Sequence, residues 1–281
     1  MPMFCDLHLH STFSDGTDTP TRLVELAQEL GLGAIALTDH NTVEGVPEFL
    51  EAAKGKPIRA IAGTEFSTDW DGLEVHILGL FLKPEHVPAI TARLAEYHRQ
   101  KDRSNRDLVA NLSRAGYALD YDRLKAGTPT GQVNRALIAD EMTRLGYAQS
   151  VKDAFSRFLK PKCGYYTPPR RPDPFETIRY IKSLGAVAAL AHPYLTFQGE
   201  EELRAFLKQA VESGLDAMET RYSTYDEETT ARAEKTADDF GLLHSGGSDY
   251  HGKIKPHIQM GSGQGNLTVP YGHMVLLEER L

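Results

Sequence analysis

Short apolar runs alternate with helix-length stretches along most of the chain. Runs at 3–9, 34–37, 58–62, 74–81, 186–191, 215–219 and 242–246 have the length of buried strands. Between the first two, Thr19-Pro20 reads as a helix start, Leu23, Leu26, Ala27 and Leu30 recur at helical spacing, and Gly31 and Gly33 end the helix. The same spacing fills 44–54, 174–184, 200–213 and 226–240. Strands alternating with helices in this way predict a parallel α/β architecture. The alternation stops between 97 and 168, where Arg and Asp are dense and apolar positions keep a helical period. A helical insertion over the mouth of an α/β domain is expected there, giving 1–96 with 169–281 as one unit and 97–168 as the other. Residues 252–281 are rich in Gly and show little pattern.

The polar residues are placed less evenly than the apolar ones. If 3–9 is a strand, His8 and His10 point to one face, because side chains at i and i+2 do so. Asp15 then returns on the loop that leaves the strand. Later runs end in the same chemistry: Thr38-Asp39-His40, Gly63-Thr64-Glu65, Ala191-His192-Pro193 and Gly247-Ser248-Asp249-Tyr250-His251, with His76 near the start of its own run. In barrels and open α/β sheets, residues at these ends converge on one site. Nine imidazoles and carboxylates are too many for one ion, and without cysteine among them they suit Mn²⁺, Fe²⁺ or Zn²⁺. Two or three divalent metals are implied, with Glu65 as the candidate bridge. Clustered ions of this kind favour phosphate ester hydrolysis, since they activate water near neutral pH and neutralise phosphoryl and leaving oxygens.

Composition narrows the setting. The chain has 281 residues, 41% of them apolar, and no run approaching the roughly 18 apolar residues of a membrane span. A net charge of −8 argues against non-specific wrapping of a nucleic-acid backbone, although metals and a local Arg cluster can reverse the sign in one pocket. Two cysteines and no basic-then-apolar leader lead us to expect a cytoplasmic protein, and nothing implies a protein partner.

The strand-end motifs, in their order, resemble the PHP (polymerase and histidinol phosphatase) family over roughly residues 1–85 and 175–260. That resemblance implies a distorted (β/α)7 barrel related to amidohydrolases, a trinuclear centre and phosphoesterase activity. It assigns His8, His10, Glu65 and Asp249 to one metal, Glu65, His76 and His192 to a second, and Asp15, His40 and His251 to a third. Asp15, Glu65 and His192 are the candidate catalytic residues. Within the family, a compact chain with such an insert is similar to the phosphatases that remove the 3′-phosphate of nucleoside 3′,5′-bisphosphates. Exonucleases that cut short RNA from its 5′ end are neighbours of that group, and a histidinol phosphatase-like activity is a third reading.

A bisphosphorylated nucleotide needs a cationic clamp, and Arg binds phosphate bidentately. Arg135, beside Asn134 and among apolar neighbours, and Arg171, in Pro168-Pro169-Arg170-Arg171-Pro172, are the candidates. Tyr222 follows a strand and could stack on a base; a rim position without function is the alternative.

Overall fold

The computed structural model describes residues 3–128 and 133–281. Seven strands form one sheet in sequence order: β1 (Cys5–Leu9), β2 (Ala34–Leu37), β3 (Arg59–Trp70), β4 (Leu73–Leu80), β5 (Val187–Leu190), β6 (Ala217–Tyr222) and β7 (Leu243–Gly247). The sheet curls until its edges meet. The Asp249 amide donates to His8 O at 2.9 Å and the His10 amide to Tyr250 O at 3.0 Å, so the barrel is nearly closed. This approach requires Gly247, because a Cβ there would overlap the Cβ and backbone nitrogen of His8.

The pairing is not parallel throughout, which corrects the uniform alternation expected above. β4 runs antiparallel to both β3 and β5. The cause is local: Asp71 (φ 50°) and Gly72 (φ 86°) make a two-residue turn with both residues at positive φ, the turn that matches the twist of a hairpin. Reversal puts the start of β4 at the rim where the other strands end. His76 reaches the shared rim for that reason, opposite Ser67 of β3.

The barrel interior holds small and medium side chains, among them Cys5, Leu7, Ala34, Ala36, Ile61, Leu78, Ala189 and Ala217, all buried. Helices α1 (Pro20–Glu29) and α2 (Val46–Ala53) cover the first half. In α1, the Thr19 side chain caps the Arg22 amide, and Leu23, Val24 and Ala27 are buried. The long helix α3 (Val87–Arg114) follows β4, and α4 (Tyr121–Ala126), α5 (Arg135–Arg144) and α6 (Val151–Ala154) come after it. Then α7 (Pro174–Ser183), α8 (Pro193–Thr196), α9 (Glu200–Glu212) and α10 (Glu227–Asp239) alternate with the remaining strands. A last helix, α11 (Tyr271–Glu278), lies in the Gly-rich tail where sequence pattern gave no element. It belongs to the core: Val269, Met274 and Leu277 are buried with the barrel residues, and the Cys5 amide donates to Val269 O at 3.0 Å.

The chain forms two compact units, Met1–Thr91 with Arg171–Leu281, and Ala92–Arg170. The second is helical around its own core of Leu108, Leu112, Ile138, Met142, Phe158 and Leu159. No helix among the described residues is long and apolar enough to cross a membrane.

Candidate metal centre

All nine candidate ligands meet at the barrel rim. His8, in β1, and His10, just past its end, are fully buried with their Nε2 atoms 3.0 Å apart. Glu65, on β3, sits at the centre. Its Oε2 lies 3.2 Å from both His8 Nε2 and His10 Nε2 and 3.1 Å from His40 Nδ1. Its Oε1 faces the other way, 2.8 Å from His76 Nδ1 and 3.1 Å from His192 Nε2. Asp249 Oδ1 approaches His10 Nε2 at 3.1 Å and His251 Nδ1 at 3.4 Å. Asp15 Oδ1 is 3.3 Å from His251 Nε2 and 3.6 Å from His10 Nδ1, and its Oδ2 is 3.9 Å from His40 Nε2.

These residues fit divalent metals. Donors about 2.1 Å from one ion stand about 3.0–3.4 Å from each other, and most of the separations here fall in that range. Moreover, Nδ1 of His40 and of His76 are buried without a hydrogen-bond partner, though each lies beside a Glu65 oxygen. A nitrogen aligned beside a carboxylate oxygen can hold an ion in place of a proton between them. Three groups bring their donor atoms together: His8, His10 and Asp249; His40, Glu65 and His76; and His10, Asp15, His40 and His251. Asp15 thus stands with His40 and His251, with His10 between two of the groups.

A layer of buried acids lies behind the candidate ligands. Glu219 Oε1 accepts from or faces His8 Nδ1 at 3.0 Å, and Oε2 accepts the His192 amide at 2.7 Å. Asp39 accepts from the Ser11 amide and from the Ser11 and Ser14 hydroxyls at 2.6–2.7 Å, fixing the loop that carries Asp15. Asp6 receives the Ser248 amide (2.8 Å) and hydroxyl (2.5 Å) and the Gly261 amide (2.7 Å). Asp249 Oδ2 accepts from Tyr222 Oη and Lys255 Nζ, both at 2.6 Å, which leaves Oδ1 for the histidines. Glu219, Asp6, Asp39 and Lys255 are not among the residues that sequence spacing singles out. An acid inside an apolar strand run, as Asp6 and Glu219 are, was the available signal. His192 (φ 30°) and Asp249 (φ 55°) adopt left-handed backbone that non-Gly residues rarely take, at the points where their strands turn into the site.

Proximity of so many charges displaces their titration. Burial alone draws His10 down, but hydrogen bonds with Asp249 and Glu65 outweigh it and push it up to about 9. His76 is likewise opposed by burial and carried to about 10, chiefly by Glu65. His40 goes the other way, to about 3, because burial is reinforced by the neighbouring His10 and His76. Burial would raise Glu65, Asp15 and Asp249, yet the facing imidazoles hold all three well below the usual carboxylate range. Without metal, His10 and His76 therefore carry protons at neutral pH, and an ion must displace them. Binding of Mn²⁺ to stripped protein at pH 7 is expected to release protons, seen as a calorimetric enthalpy that varies with the buffer, and to tighten up to about pH 9. The sign for stability is the reverse. Raised histidines stabilise the metal-free fold fully below their ordinary value of 6.5, and that contribution is lost as pH climbs through 9–10. A buffer-independent enthalpy together with pH-independent affinity would contradict this.

The expected substrate contacts are placed differently. Tyr222, the candidate for stacking on a base, is buried and donates to Asp249 Oδ2. A bulge between Glu219 and Arg221 in β6 explains why Glu219 and Tyr222 are both buried against site residues. Asn134 caps α5 by accepting from the Leu137 amide, and Arg135 lies over the rings of Tyr166 (4.6 Å) and Phe155 (5.7 Å) and donates to Leu159 O. Their neighbour Gln132 lies outside the described residues. Arg171 pairs with Glu74 at 2.7 Å.

Comparison with known proteins gives a consistent picture. The PHP domain family matches residues 6–162. A 5′-3′ exoribonuclease of Haemophilus influenzae is 32% identical over 246 residues, covering 88% of this chain and 89% of its own. A phosphoribosyl 1,2-cyclic phosphate 1,2-diphosphodiesterase of Eggerthella lenta is 30% identical, covering 91% of this chain and 98% of its own. A 3′,5′-nucleoside bisphosphate phosphatase of Chromobacterium violaceum is 28% identical, covering 88% and 86%. All three names describe cleavage of a phosphate ester.

Proposed function

The chain belongs to the PHP family and is a metal-dependent phosphoesterase, and from there we propose that it removes the 3′-phosphate of nucleoside 3′,5′-bisphosphates with three divalent ions, Mn²⁺ foremost. The observation that carries the multinuclear reading is Glu65, whose two oxygens serve two different sets of imidazoles. The substrate rests on the likeness to the Chromobacterium violaceum phosphatase over most of both chains. Short RNA cut from its 5′ end is the second reading, favoured by the 32% identity to the Haemophilus influenzae enzyme.

Bound at these residues, divalent ions would activate water and neutralise the phosphoryl and leaving oxygens. The chain's own part is placement. Glu65 would hold two ions at a fixed separation, and Asp15, His40 and His251 would set the third beside them. His192 would present Nε2 next to Glu65, with Nδ1 3.4 Å from Thr196 Oγ1. Glu219 would keep His8 in one tautomer by meeting Nδ1, leaving Nε2 for an ion.

Phosphate release across a panel tests the substrate: adenosine 3′,5′-bisphosphate, AMP, histidinol phosphate, a ribose 1,2-cyclic phosphate and a short 5′-phosphorylated RNA. With Mn²⁺ the bisphosphate is expected to have the highest kcat/KM, and chelation to remove activity that added Mn²⁺ restores. Faster turnover of another compound would overturn the substrate, and full activity after chelation would overturn the metal dependence.

A further inference from the structure

Among the residues first read as substrate contacts, Arg171 is linked to the metal ligands by a continuous set of polar contacts. Its side chain is only 9% exposed, and Nη2 lies 2.7 Å from Glu74 Oε2. The other Glu74 oxygen, Oε1, lies 3.3 Å from His76 Nε2. His76 in turn directs Nδ1 at Glu65 Oε1, 2.8 Å away. Backbone fixes the start of this series: Pro172 O accepts the Asp69 amide at 3.0 Å, and Asp69 pairs with Glu74 across the β3–β4 hairpin. Arg171 is thus anchored to the hairpin that presents both Glu74 and His76.

We propose that Arg171 is a positioning residue of the metal centre: it fixes Glu74, which fixes the ring of His76 so that Nδ1 is offered to an ion beside Glu65. An imidazole that binds metal through one nitrogen is oriented by what the other nitrogen meets, and that partner sets ring angle and tautomer. Glu74 is the partner here, with a side chain 40% exposed. Arg171 supplies what restrains it, because a buried guanidinium is rigid and permanently charged. A phosphate clamp would turn its paired nitrogens toward substrate, whereas Nη2 is engaged by Glu74.

The inference rests on the metal-centre reading and not on the substrate, so its test uses Mn²⁺ alone. Titration of metal-stripped protein followed by calorimetry is expected to show one class of site weakened about 10- to 100-fold in Arg171→Gln and in Glu74→Gln. The double variant is expected to be no weaker than the worse single variant, and Arg171→Lys to recover part of the loss. At saturating Mn²⁺, KM for a phosphate ester should not move in Arg171→Gln. Unchanged Mn²⁺ affinity with a raised KM would overturn the proposal in favour of direct substrate contact, and additive losses in the double variant would also overturn it. If thermal melting shows Arg171→Gln to be unfolded, Glu74→Gln and Arg171→Lys are judged by the same affinity criterion. A failed substrate panel leaves these titrations untouched.

Discussion

Glu65→Gln is expected to lower metal-dependent turnover by about 10³-fold or more while the protein still folds. The carboxylate is buried, and each of its oxygens faces ring nitrogens, Oε2 toward His8, His10 and His40 and Oε1 toward His76 and His192. A carboxamide keeps the volume but offers one oxygen and one NH₂, so it cannot accept an ion on both sides. Metal stabilisation of charge in phosphoryl transfer contributes several kcal/mol, and about 1.4 kcal/mol corresponds to tenfold in rate. Steady-state kinetics at saturating Mn²⁺ provide the check, with circular dichroism confirming the fold. A Glu65→Gln enzyme within tenfold of wild type would mean that Glu65 does not bridge.

Asp6→Ala should be among the most damaging substitutions for stability, at about 3–5 kcal/mol, without touching a ligand. The Asp6 carboxylate is fully buried and accepts from the Ser248 amide and hydroxyl and the Gly261 amide. It therefore ties β1 to the exit of β7, next to Asp249, and to the loop ahead of α11. Each buried donor left without a partner costs about 1–3 kcal/mol, and these share one site, so the costs are less than additive. Urea unfolding of the metal-free protein measures the loss; a change under about 1 kcal/mol would show that water replaces the carboxylate. Asp6→Asn, which retains one acceptor oxygen, should lose less.

Strand-length apolar runs located all seven strands, and the His and acidic residues at their ends are the nine that the barrel gathers at one rim. What the apolar pattern did not convey was direction. A strand buried on both faces reads the same parallel or antiparallel, and only Asp71-Gly72 marked β4 as the return arm of a hairpin. Helix α11 was hidden because its neighbours are glycines and polar residues, although Val269, Met274 and Leu277 reach the core. The acids behind the ligands were also missed: Glu219 closes an apolar run just as a ligand would, and nothing in spacing separates a group that binds an ion from one that orients a histidine. Strand parity makes Tyr222 a base-stacking candidate at the mouth and does not reveal the bulge in β6 that accompanies its burial. Arg135 looked inward-facing among apolar neighbours, and its guanidinium does lie over aromatic rings, those of Tyr166 and Phe155.

Glu65 divides the cluster at the end of β1, with His8, His10 and His40 at one oxygen, His76 and His192 at the other, and Asp15 beside His40 and His251. Metal content per chain, measured by elemental analysis on wild type and Glu65→Gln after identical Mn²⁺ loading and desalting, tests this most directly. The account predicts three ions in the wild type and one in Glu65→Gln, the survivor being held by Asp15, His40 and His251. A single ion in the wild type, or the same count in both proteins, would contradict it.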